Sequence, residues 1–102
     1  MIKVIDGKRY NTETAVKIGY DWNGLSVNDF NYCSETLYQT KRGQYFLYGD
    51  GGANSRYSKS YGDTRCGSTD IILLTPEEAL FWASNHLNDT EMEHFNDMIE
   101  EG

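Results

Sequence analysis

The chain has 102 residues, 14% of them aromatic, and a formal net charge of −7. That length supports one domain with a single modest core, and the aromatic content excludes a disordered acidic tail. No apolar run approaches the ~20 residues of a membrane span, and the negative charge disfavours direct nucleic-acid binding because phosphates repel it.

The segment Met1-Ile2-Lys3-Val4-Ile5-Asp6 is too short and too charged for a signal peptide. A cytoplasmic location with reduced cysteines is therefore expected. Ile2–Ile5, the Asp6-Gly7 turn signal and Lys8-Arg9-Tyr10 predict a small opening hairpin. Asn11 or Thr12 caps a predicted short helix over Glu13–Ile18, with Gly19 as its stop. Asp21–Asn28 holds Asn23-Gly24 and predicts a turn or loop.

The clearest strand signal is central. From Phe30 to Thr40, Phe30, Tyr32, Thr36 and Tyr38 fall on one face and Cys33, Glu35 and Leu37 on the other. Lys41-Arg42-Gly43 then predicts a three-residue loop, with Gly43 in the left-handed position of a bulge. The return strand is Gln44–Tyr48, which sets Tyr38 opposite Phe46 and Leu37 opposite Leu47. Gly49-Asp50-Gly51-Gly52 is expected to end the hairpin. Ala53–Thr69 reads as a long polar loop with an irregular element near Arg56–Tyr61, and Ile71–Leu74 as a buried strand.

Thr75-Pro76-Glu77-Glu78 is a strong helix start, with Thr75 as N-cap, Pro76 at N1 and Glu78 closing a capping box. The helix runs to about Leu87. Ala79, Leu80, Trp82, Ala83 and Leu87 share one face and Phe81 points away from it. A last helix begins near Asp89 or Thr90, with a capping box of Thr90 and Glu93 and an apolar stripe of Met92, Phe95, Met98 and Ile99. The fold class expected for residues 1–102 is a single α+β domain: a small antiparallel sheet built on the central hairpin, packed by the C-terminal helices.

Charge is split along the chain. All nine Lys and Arg lie at or before Arg65, where they face seven acids; the nine acids beyond it meet no base. The first part is net +2 and the second net −9. Such a split marks an acidic surface for a basic partner, or acids that solubilise two amphipathic helices. Glu77, Glu78, Glu91 and Glu93 lie in first turns, where the helix dipole favours them by about 0.3–1 kcal/mol each. Asp97, Glu100 and Glu101 crowd a last turn, where it does not. Phe81, on a polar face, is a candidate interface anchor. Glu93, Tyr57 and Asp50 complete the candidate partner-binding set.

Other chemistries are weaker. Cys33, Cys66, His86 and His94 are the right types for zinc, but no pair has Cys-x-x-Cys or His-x-x-x-His spacing. They also carry no nucleophile signature, so no enzyme and no cofactor is expected. Lys41, Arg42, Arg56 and Lys59 among Tyr45, Tyr48, Tyr57 and Tyr61 fit single-strand binding, a protein interface, or tyrosines that bury the ring and expose the hydroxyl.

The blocks Lys8-Arg9-Tyr10-Asn11-Thr12-Glu13-Thr14-Ala15, Glu35-Thr36-Leu37-Tyr38, Tyr45-Phe46-Leu47-Tyr48-Gly49-Asp50-Gly51-Gly52, Leu74-Thr75-Pro76-Glu77-Glu78-Ala79 and Trp82-Ala83 resemble a family of small proteins from mobile elements of Firmicutes and related bacteria. Some small acidic proteins of that setting are type II-A anti-CRISPR proteins that inhibit Cas9. The resemblance implies an inhibitor that binds a Cas9-type effector, with no catalytic residue set. Such effectors hold nucleic acid in a positively charged channel, which an acidic protein could occupy. The alternatives are a generic interaction module regulating a host enzyme and a small zinc-binding protein.

Overall fold

Strands rich in apolar and aromatic residues build a four-stranded antiparallel sheet whose central strands are covered on both faces. The computed structural model describes residues 1–99 apart from the side chain of Asp97. Its elements are β1 (Ile2–Ile5), β2 (Lys8–Asn11), β3 (Val16–Trp22), β4 (Cys33–Gln39), β5 (Tyr45–Gly51), β6 (Lys59–Tyr61), β7 (Thr64–Cys66), β8 (Ser68–Leu74), α1 (Pro76–His86) and α2 (Asp89–Met92), followed by a 3-10 segment, Glu93–Met98. The central sheet has the order β3-β4-β5-β8; β1-β2 and β6-β7 are separate hairpins. The fold is α+β, with the C-terminal helices on the antiparallel sheet.

The central hairpin has the expected register. Tyr38 stands opposite Phe46 and Leu37 opposite Leu47. Gly43 takes φ 95°, a backbone conformation that glycine adopts without a Cβ penalty. The Thr40 N–H donates to the Gln44 carbonyl at 2.9 Å. On one face Leu37, Tyr45, Leu47 and Leu74 pack with Ala79, Trp82 and Ala83 of α1 and with Phe95. On the other, Phe46 and Ile71 pack with Tyr10, flanked by Ile5, Ala15 and Tyr38. The opening hairpin thus closes the second face. The ammonium of Lys3 on β1 reaches the Asp70 carboxylate of β8 at 2.5 Å.

Several expectations are corrected. No helix forms over Glu13–Ile18; a turn leads into β3. Val16 and Ile18 are β-branched and fit a pleated surface better than a helix. Gly19 is not a helix stop but a buried strand residue beside a register shift, where a Cβ would come 2.4 Å from Leu87. The fourth strand begins at Cys33, and Phe30 lies in an exposed turn segment before it. Gly49 and Gly51 do not end the hairpin; they continue β5 beneath the Tyr57 ring and the Ser55 side chain. The long loop holds the β6–β7 hairpin, and β8 starts at Ser68 rather than Ile71.

The Thr75–Glu78 capping box forms as expected. The second box does not use Thr90 and Glu93: Asn88 and Glu91 make it, two residues earlier. Asn is a stronger N-cap than Thr, and its side chain accepts from the Glu91 N–H at 2.9 Å. Tightening to a 3-10 turn after Met92 still buries Phe95, whose ring stacks on Tyr45 at 5.7 Å. Ile99 falls beyond that turn and is exposed.

Two glycine substitutions separate close packing from backbone strain. In Gly49→Ala the new methyl meets the fixed Tyr57 ring, and the expected loss is about 2–3 kcal/mol. In Gly43→Ala nothing sits closer than 3.9 Å, and only the positive φ opposes the change, at about 1 kcal/mol. Urea unfolding midpoints read the order of the two.

Candidate functional site

Among the described residues, Glu35 is the one acid that is buried, at 8% exposure. Strand register places it in a row across the sheet, Asp21–Glu35–Gly49–Asp70. Because Gly49 has no side chain, the Tyr57 ring lies flat over that position. Its hydroxyl then donates to Glu35 Oε2. Arg56 donates to the same oxygen at 3.2 Å, and the Trp82 indole N–H to Oε1 at 3.1 Å. Strand, loop and helix thus meet on one carboxylate. Burial, then the bonded Glu35 charge, pushes the Tyr57 hydroxyl far above the ordinary tyrosine range.

The neighbours of this cluster carry the cysteine and histidine candidates. Burial and then the Glu35 charge raise the Cys33 thiol. That favours the protonated form, the opposite of an activated nucleophile. Cys66 lies exposed on β7. His86 Nδ1 bonds Asp21 Oδ2 at 2.6 Å while its ring stacks on Trp82 at 4.7 Å. His94 Nε2 bonds the Tyr45 hydroxyl at 3.1 Å. The two histidines thus serve different partners. Among the described residues, no three His, Cys, Asp or Glu side chains gather as a metal site.

The partner-binding candidates do not form one group. Phe81 is 73% exposed on α1, and Glu93 is exposed at the start of the 3-10 segment. Tyr57, by contrast, is 3% exposed and its hydroxyl is committed to Glu35, which removes it from the surface. Asp50 is half-buried beside a shallow cavity shared with Val27, Phe30 and Cys66. The Asp97 side chain, Glu100 and Glu101 lie outside the described residues.

A second feature is not legible in the sequence alone. A cavity of about 980 Å³ opens between the β1–β2 turn, the β4–β5 turn and the start of α1. Lys8, Arg9, Lys41 and Arg42 line it, with Glu78 as the one acid among its lining residues. Each turn carries a Lys-Arg pair beside a glycine, which is visible in the sequence. Their adjacency depends on the opening hairpin covering the sheet, which is not. The chain matches no family model, no curated protein and no solved structure with which it was compared.

The raised Tyr57 hydroxyl sets a sign for alkaline stability. Above pH ~10 the unfolded chain releases this proton while the folded chain keeps it. Stability therefore falls with rising pH, by up to about 1.4 kcal/mol per pH unit from this group. Tyr57→Phe should cost about 1–3 kcal/mol at neutral pH, because Glu35 loses a donor, and should flatten that part of the alkaline limb. Denaturant titrations at neutral pH and above pH 10 read both effects.

Proposed function

We propose that this protein is an inhibitory binding partner of a Cas9-type effector, of the type II-A anti-CRISPR kind, and that the acidic helical layer makes the contact. The observation that carries the reading is how the acids are used. Asp21, Glu35 and Asp70 are each tied to a histidine, arginine or lysine. Glu77, Asp89 and Glu93 are exposed, and none forms an ion pair among the described residues.

Phe81 supports the same reading. It lies one helical turn after Glu77, so the two share a face of α1. An exposed aromatic ring beside unpaired acids supplies both an anchor and a charge to match a basic surface. The effector class comes from the resemblance of the sequence blocks, and its positively charged channel is the complementary surface.

A titration of guide-loaded type II-A Cas9, reading bound and cut target DNA together, tests the proposal. Loss of both signals is the expected result for occlusion of the channel. Binding retained with cleavage lost would place the block at the conformational change instead. No effect on either signal, across several effectors, would overturn the reading. Phe81→Ala combined with Glu77→Lys should weaken inhibition at least tenfold, about 1.4 kcal/mol. Unchanged inhibition by that variant at physiological salt would rule out this surface.

A further inference from the structure

We propose that the groove between the two hairpin turns is a phosphate-binding site that holds a short single-stranded oligonucleotide through its backbone. This goes beyond the proposed inhibition and uses a different surface. Four of the nine cations of the chain, Lys8, Arg9, Lys41 and Arg42, line the groove. All four are exposed, and none forms an ion pair among the described residues. Among the described residues, Glu78 is the one acid that lines the groove with them. Its Oε1 accepts the Thr75 N–H at 2.9 Å, so that carboxylate is engaged in capping α1.

The overall charge of −7 argues against such a ligand at long range. At physiological salt, however, the screening length is about 8 Å, so a bound strand responds mainly to charges within the groove. Four like charges held by two turns repel one another, and anions between them relieve that repulsion. Both turns use left-handed backbone: Asp6, Gly7 and Gly43 take positive φ, at 51°, 79° and 95°. The cavity, about 980 Å³, lies at the upper end of the range for small-ligand sites, so it extends beyond the reach of one phosphate.

The chemistry favours a phosphodiester strand over an acidic peptide. A strand presents a full charge at every unit, whatever its sequence, and arginine matches phosphate with a planar fork. The aromatic residues of the lining, Tyr10 and Tyr45, are only 5% and 6% exposed. They offer no face on which a base could stack, so binding should be insensitive to base identity.

Fluorescence anisotropy of a short labelled oligothymidylate with the full chain tests the site. With four cations engaged, the log–log salt slope for a single strand should be near −2.8, an affinity loss of about 50-fold between 50 and 200 mM salt. Lys41→Ala with Arg42→Ala, and separately Lys8→Ala with Arg9→Ala, should each weaken binding about tenfold or more. All four are exposed, Lys41 and Arg42 in a turn and Lys8 and Arg9 at the start of β2, and an unchanged unfolding midpoint shows that the variant is folded. Phe81→Ala with Glu77→Lys should bind at least as tightly as the parent, which separates this site from the proposed inhibitory surface. Absence of binding at 50 mM salt, or binding that neither pair of variants reduces, would overturn the proposal. So would equal affinity for an oligoglutamate of the same charge, which would assign the groove to an acidic protein segment.

Discussion

A carboxylate inside a protein is costly unless donors surround it, and here one holds three parts of the chain together. Glu35 leaves water at a penalty of several kcal/mol, which only well-placed donors offset. Trp82 supplies one from α1, and Tyr57 and Arg56 supply two from the loop after β5. Removing one donor leaves the buried carboxylate less well satisfied, so the three contacts depend on one another. The half-exposed Arg56 side chain keeps a path from this charge to solvent. The same constraint reaches the backbone: Tyr57 reaches the carboxylate only by crossing Gly49, and any side chain there would displace its ring.

The second organising fact is that the sheet has no solvent-facing side at its centre. Leu37 and Leu47 look toward α1, while Tyr38 and Phe46 look toward the opening hairpin. The two central strands are therefore apolar on both faces, and a short run such as Tyr45-Phe46-Leu47-Tyr48 makes sense only when both are covered. A two-stranded hairpin is marginal alone. Here β1–β2 gains its place by burying Tyr10 against Phe46, ring to ring at 5.9 Å, and by the Lys3–Asp70 pair. Burial alone would raise the Asp70 carboxyl, but the bonds from Lys3 and from the Ile71 N–H hold it below its ordinary value.

The legible parts of the fold were those whose signals are local. The β4–β5 register followed from turn length and alternation, and α1 from four consecutive residues at its start. The misread segment shows why local signals fail. Asn11 Oδ1 accepts the Glu13 N–H at 2.9 Å, the same kind of side-chain bond that opens a helix, but here it closes a turn. Gly19 was legible as special but not why: its lack of a side chain admits Leu87, which is remote in sequence. Strand alternation alone puts Glu35 on the same face as Leu37. Its role was not legible, because Tyr57 and Trp82 lie 22 and 47 residues away, and no spacing rule links a strand acid to a distant indole.

Charge follows the same logic of local and distant. The basic part of the sequence supplies the four cations of the groove, and the acidic part supplies the helices. Acids that the fold needs are neutralised at once, as Glu35 and Asp70 are. Among the described residues, Glu77, Asp89 and Glu93 of the helical layer and the cations Lys8, Arg9, Lys41 and Arg42 form no ion pair, and Glu78 alone of the helical acids lines the groove with those cations. Folding alone would place a few of them in pairs, since a surface pair adds little stability but carries little penalty. Keeping both signs exposed and separate leaves two surfaces of opposite charge on one small domain. Each attracts partners of the other sign and repels those of its own, and this separation is what the proposed inhibitory contact and the proposed phosphate groove both rest on.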